Sequence, residues 1–376
     1  MTDITDDSVP AGEPNGPGPV AEEQSARRRR RRWPYVVLAG VVAMVAAALF
    51  VPTPFYLYEP GGIRPTESRI SISDHQAFSD GGTIDYPTVG IRQATVVGLF
   101  EGWADDAIEV RSKDEVYPGG DVKQERILNR RMMDDSKFIA TVLAFDQVGY
   151  PVTVTGSGAF IDELMTGFPS SSILRQGDVI TAVDGRPVTT AGDLRPLLEG
   201  KAAGDVVELS IRRPGTDGGE PVELTERVEL GRNPDDDSRG YLGVAVSTAD
   251  QGLDLPFDID IDSGKVTGPS AGLAWTLGLV DRLTPGDLTG GRRVVATGEV
   301  ATDGSVLTIG GIEQKMSAIV RGGYDVFLYP ESTPKESVEA IEAIAGDRVE
   351  LHPVGTIDEA LAVLAPSGVP AAPPLS

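Results

Sequence analysis

Residues 33–51, WPYVVLAGVVAMVAAALFV, carry no charged side chain, and no other feature constrains the chain as much. About 20 apolar residues rising ~1.5 Å each cross a hydrocarbon core of ~30 Å. A helix that is apolar all round has no face to offer water. An unbroken arginine run, residues 27–32, stands directly before it. Positive flanks are retained on the cytoplasmic side, so residues 33–52 are predicted to be a transmembrane helix. The N-terminus then lies in the cytoplasm, and everything past Pro52 is extracytoplasmic. A cleaved signal peptide is the competing reading, because the alanines at 46–48 resemble a cleavage region; the apolar run is long for a signal core, which favours an uncleaved anchor.

Composition removes several function classes. The chain has 376 residues, 57 acidic against 33 basic, and a formal charge of -24. Phosphate binding needs a basic surface, so no nucleic-acid partner is expected. The six arginines are offset by Asp3, Asp6, Asp7, Glu13, Glu22 and Glu23, which leaves the acidic excess on the outer domains. With no cysteine, disulfides and thiolate nucleophiles are excluded. The two histidines, His75 and His352, lie in no HExxH stretch, so no metal site is expected, and a serine–histidine triad could draw on those two alone. No GxxxxGK[ST] loop occurs, so no ATP is expected, and no other cofactor.

Along the chain, residues 1–32 read as a disordered cytoplasmic tail, poor in large apolar side chains before the arginines. Residues 53–150 begin with short β-branched runs between Gly, Pro and Asp, such as ISIS and GGTIDY, and then show a 3.6-residue apolar period from 124 to 148 that Gly149 should stop. Texture changes at 151–235. There a Gly177-Asp178 turn precedes a strand, Val179, Ile180 and Val183, that ends in the hairpin signal Asp184-Gly185. This segment resembles a PDZ domain of the bacterial protease-associated type. The glycines of Gly156, Ser157, Gly158, Ala159 and Phe160 would let backbone amides approach a peptide carboxylate, although a short Gly-rich stretch is also read as a plain loop. The tail at 366–376, rich in Pro and Ala, is expected to be flexible.

The segment 236–365 carries the candidate chemistry. Ser270 falls between a strand and an apolar helix predicted over about 270–282. A serine there faces unpaired N–H groups and the positive end of the helix dipole, which suits a developing oxyanion. An isolated serine before a helix is more commonly an N-cap. Lys315 sits three residues after Ile312 and four before Ile319, in the buried stripe of a short helix that ends at Gly322. Burial lowers a lysine's pKa toward that of a useful base; an exposed lysine covering apolar surface with its stem has the same periodicity.

The stretches TGPSAG (267–272), LTGGR (288–292), ATGEV (296–300), DGSVLTIGGIEQK (303–315) and RGGYDVFLYPE (321–331) together resemble the proteolytic domain of Lon proteases. The resemblance implies Ser270 as nucleophile, Lys315 as general base, and Thr297 as a residue that holds the lysine, with Ala271 and Gly268 as supporting or oxyanion positions. Thr267 stands where the family commonly has Asp or Asn, and the ATPase module of a true Lon is missing. Residues 132–149 also resemble a helix of that domain, which makes 53–150 and 236–365 two parts of one unit. The expected fold is thus α+β: a Lon-type proteolytic domain with an inserted PDZ domain and one N-terminal transmembrane helix. The implied function is an ATP-independent serine endopeptidase acting on protein or peptide substrates, at a membrane, with a hexameric homo-oligomer implied by the resemblance alone. The competing class is a catalytically weak, membrane-tethered PDZ scaffold.

Overall fold

A computed structural model of the chain describes residues 19–78, 81–119, 121–215, 219–234, 236 and 239–375. Its central sheet draws on both ends of the sequence. The strand order is Glu350–Val354, Val326–Pro330, Arg293–Ala296, Thr83–Thr95, Pro52–Pro65, Glu109–Ser112. The first four run parallel, with Val294 opposite both Val326 and Ile84. The last three form an antiparallel ribbon in which Tyr58 faces Ile91 and Glu109. A strand from before residue 100 therefore lies directly beside one from after 290, and the two sequence segments share one sheet.

The parallel strands are buried on both faces, and their near-continuous apolar sequences, RVVA and VFLYP, follow from that. Successive side chains point to opposite sides. Val294, Ala296, Val326 and Leu328 enter one core, with the helices Val122–Val148, Gly272–Leu283 and Ile357–Leu364. Val295, Phe327 and Tyr329 enter the other, with Ile312–Gly322 and Lys335–Ala345. The Gly272–Leu283 helix is buried almost all round, which explains why its sequence, GLAWTLGLVDRL, lacks a polar stripe. Gly149 closes the long helix at φ 78°, a left-handed cap that glycine adopts without a Cβ penalty.

Between the two halves, a second antiparallel sheet has its own core, formed by Ile161, Ile180, Val183, Leu209, Ile211 and Val228 among others. Its order is Val222–Glu229, Val206–Arg213, Val179–Val183, Ala159–Leu164, Val244–Thr248. The Gly177-Asp178 turn has a clear cause: Gly177 has φ 92°, and the buried Asp178 carboxylate accepts two hydrogen bonds from Arg213, at 2.8 and 2.7 Å. The chain enters and leaves this unit through a paired ribbon, Thr153–Thr155 against Gly252–Asp254.

Three expectations need correction. The boundary drawn at 235 cuts this second sheet, because Val244–Thr248 pairs with Ala159–Leu164 and completes it. The tail at 366–376 is not free: Val369 and Ala372 pack on apolar clusters, and Tyr150 Oη donates to the Pro373 carbonyl at 2.6 Å. Even a Pro-rich segment orders where its few apolar side chains find cover. At the other end, residues 1–18 of the expected disordered tail lie outside the described residues, but a 32-residue helix, Pro19–Phe50, already includes the arginine run. Once a membrane-length helix is nucleated, each added residue of good propensity extends it at little cost.

Candidate active site

Ser270 and Lys315 reach each other around the end of a strand. Ser270 belongs to the layer on one face of the sheet and Lys315 to the layer on the other; they meet beside Thr297, the residue that follows strand Arg293–Ala296. In open parallel sheets, sites form beyond the carboxyl ends of the strands, where chains from both layers can converge. Lys315 Nζ lies 3.0 Å from Ser270 Oγ and 2.9 Å from Thr297 Oγ1. Thr297 Oγ1 in turn donates to the Ser270 carbonyl at 3.0 Å, and Gly298 N donates to the same oxygen at 2.9 Å.

Protons can be placed from this geometry. The single hydroxyl proton of Thr297 is committed to the Ser270 carbonyl, so toward the amine Thr297 accepts. One N–H of Lys315 therefore points at Thr297. A neutral amine then keeps its lone pair for the hydroxyl proton of Ser270. Lys315 is 2% exposed, and burial pushes its pKa down to about 7. Desolvation is the cause: a buried site disfavours the ammonium form.

Ser270 is not an N-cap. The Gly272–Leu283 helix has Ala271 at its N-cap with no side-chain cap bond, and the Ser270 hydroxyl is directed to Lys315 instead. The turn before it is held by the long helix: Gly268 N donates to the Asn129 carbonyl at 2.8 Å, and Ser136 Oγ to the Pro269 carbonyl at 3.1 Å. Gly268 has φ 92°, so it shapes this turn, and its engaged amide is not available as an oxyanion donor. Gly272 has no room for a side chain, since a Cβ there would stand 2.9 Å from Ser136 Oγ. Asn129 and Ser136 were missed in the sequence. Ser136 could have been found as the small polar position within the stripe of Met133, Ala140 and Ala144.

The remaining candidates divide. Thr267 is exposed and lines a cavity of about 390 Å³ with Arg130, Asp134, Lys137, Asp262 and Lys265. His75 stacks on Phe257 and bonds Tyr150, and His352 lies beside Glu350, so each has partners other than Ser270. Among the described residues no group of acidic residues and histidines is placed to hold a metal ion.

The peptide site expected at Gly156, Ser157, Gly158, Ala159 and Phe160 is contradicted. The amides of Ser157 and Gly158 already donate to Ala249 and Thr189, at 2.8 and 3.0 Å, and strand Ala159–Leu164 is paired on both edges. No edge is left for strand addition. The sheet's edge strands are Val222–Glu229 and Val244–Thr248, and the second is the one beside Ala159–Leu164. Between Val244–Thr248 and helix Leu194–Leu198 runs a groove of about 380 Å³, lined by Leu194, Leu198, Val244 and Val246, with Arg195, Arg239 and Asn233 also contributing.

Comparison with known proteins agrees with this division. Residues 257–366 match the family model of the Lon protease (S16) C-terminal proteolytic domain, and residues 147–225 that of the PDZ domain. The Lon protease of Erwinia amylovora is 38% identical over 96 residues, 26% of this chain and 12% of that protein. The Lon protease of Elusimicrobium minutum is 36% identical over 136 residues, 35% of this chain and 15% of that protein. The chain thus spans only a small part of the length of these relatives. The solved PDZ domain of an SdrC-like protein from Listeria monocytogenes aligns over 25% of this chain and 92% of its own length, at 19% identity and a TM-score of 0.22. The matches thus define two domains, one of the serine-type peptidase class that holds Ser270 and Lys315, and one inserted between its halves. The first is a Lon-type proteolytic domain, the second a PDZ domain.

Proposed function

We propose that the chain is a membrane-anchored, ATP-independent serine endopeptidase in which Ser270 is the nucleophile and Lys315 the general base. The observation that carries this reading is the 3.0 Å contact between Ser270 Oγ and a fully buried lysine whose pKa is lowered to about 7. Neutral Lys315 takes the hydroxyl proton as Ser270 Oγ bonds to the scissile carbonyl carbon. It returns that proton to the leaving amine as the C–N bond breaks, which leaves an acyl-enzyme ester. Water, deprotonated by the same amine, then cleaves the ester and restores Ser270. Thr297 positions the amine, and the amide of Ala271, at the positive end of its helix, is the candidate oxyanion donor.

Substrate approaches along the polar cavity beside Thr267. Recruitment falls to the PDZ groove, where an extended segment would add to the free edge of Val244–Thr248. The apolar helix Trp33–Phe50 spans the membrane, with the arginine run on the cytoplasmic side and the folded domains outside.

The decisive comparison is turnover of an unstructured protein by the full chain in detergent, with and without ATP, against Ser270→Ala and Lys315→Arg. We expect nucleotide-independent cleavage, lost in both variants. Guanidinium keeps the charge but is no base near neutral pH. Substantial turnover by Lys315→Arg would overturn the assignment of the base, and turnover by Ser270→Ala that of the nucleophile.

A further inference from the structure

Helix Val96–Ala104 is built the opposite way round from an ordinary surface helix. Its small residues face the protein. Gly98 and Gly102 let its backbone lie close on the sheet: a Cβ at 98 would stand 3.2 Å from Leu57, and one at 102 would stand 2.6 Å from Val110. Its large apolar side chains face out. Val96, Phe100 and Trp103, spaced i, i+4 and i+7, share one face and are 40%, 66% and 84% exposed. Trp103 is the most exposed large apolar side chain among the described residues. An amphipathic helix in water buries such a stripe.

The position of this helix indicates what covers the stripe. The N-terminal helix ends at Phe50, and strand Pro52–Pro65 starts after a single residue, Val51. Pro52 pairs in register with Thr95, the N-cap of the Val96–Ala104 helix, whose hydroxyl accepts from Gly98 N at 3.2 Å. Thr53 Oγ1 also donates to the Ala94 carbonyl at 2.7 Å. The point where the apolar helix ends is thus locked, without a linker, to the point where the exposed stripe begins. The two helices are in contact. The stripe carries no charge on a chain of net charge -24, which suits entry into an apolar phase rather than pairing with a charged partner. Tryptophan is enriched at the boundary between headgroups and acyl chains, where an amphipathic ring is favoured.

We propose that helix Val96–Ala104 is an interfacial element that lies in the lipid leaflet next to the folded domains, with Phe100 and Trp103 inserted. It rests on the reading of Trp33–Phe50 as a membrane span, and it holds the proteolytic domain against the bilayer rather than leaving it on a flexible stalk.

The absence of cysteine permits a clean test on the full chain. Single variants Trp103→Cys, Val42→Cys and Val222→Cys are each labelled with an environment-sensitive fluorophore and reconstituted into phosphatidylcholine vesicles. The vesicles contain lipid spin-labelled either near the headgroup or deep in the chain. Residue 42, at the middle of the apolar helix, reports the span, and exposed residue 222 serves as the water reference. The expected result is strong quenching of 103 by the shallow spin label, of 42 by the deep one, and of 222 by neither. Quenching of 42 with 103 as water-accessible as 222 overturns the proposal and leaves the span intact. A label at 103 that is shielded from both lipid quencher and aqueous iodide, with the unlabelled Trp103→Cys variant forming a disulfide between copies on oxidation, assigns the stripe to self-association and also overturns it. Absence of quenching at 42 sinks the span reading and the proposal with it.

Discussion

At the residue scale, burying the Lys315 amine carries an energetic cost that depends on pH. A lysine with an ordinary pKa of 10.5 that falls to about 7 on burial binds its proton more weakly in the folded than in the unfolded state. Between pH 7 and 10.5 the unfolded chain holds the extra proton, so stability rises with pH across that window, and below it the full cost of burial is felt. Lys315→Met, similar in length and without charge, should therefore abolish cleavage yet stabilise the fold at pH 7, by on the order of a few kcal/mol. That gain should shrink as pH rises toward 10.5. Thermal unfolding of the two proteins at several pH values checks it; an unchanged or lowered Tm at pH 7 would mean that the amine is solvated. The same group should set the acidic limb of activity, with kcat/KM rising through a single ionisation near pH 7 rather than near the lysine reference value.

At the element scale, Ser270 is positioned by contacts between the long helix and the turn before it. Gly272 and Ser136 face each other there, so that a Cβ at 272 would stand 2.9 Å from Ser136 Oγ and 3.2 Å from Val300 N. Gly272→Ala should lower both Tm and activity because the new Cβ meets Ser136 Oγ, and on a helix the substitution would otherwise be mildly favourable. Adding Ser136→Ala removes that oxygen. The double variant should regain part of the stability, at the cost of the Pro269 hydrogen bond. Strictly additive losses in Tm would show that the two positions do not act on each other.

At the scale of the molecule, the Ser270–Lys315 pair and the groove proposed for recruitment sit on separate cores. A charge placed in the PDZ groove by Leu198→Asp should therefore leave short-peptide hydrolysis within about twofold and slow cleavage of proteins that must be captured by an extended segment. Steady-state kinetics on both substrate types decide the matter. Equal loss on both, with the fold intact by circular dichroism, would make the groove part of the catalytic machinery. The corresponding change at Phe160, placed at the peptide site by its glycine-rich surroundings, should act on folding, because its strand is paired on both edges.

Local chemistry was legible without coordinates. An uncharged run is apolar whatever its neighbours, GPSAG and GGIEQK bring a serine and a lysine to helix starts, and Asp184-Gly185 makes a hairpin because of its own backbone preferences. Helix periodicity put Lys315 in the apolar stripe, since 3.6 residues per turn assigns a face, but a lysine whose stem covers apolar surface while its amine stays in water fits the same period. What periodicity could not supply was partnership between distant residues. Whether Lys315 is solvated or 3.0 Å from Ser270 depends on two layers closing around one strand end. Whether a glycine-rich strand offers an edge depends on which strand lies beside it, and Val244–Thr248 arrives there from some eighty residues downstream. A strand's sequence records that it is half-buried; only the assembled sheet decides which edge stays open, because edges are satisfied by hydrogen bonds from neighbours that the local chain does not contain.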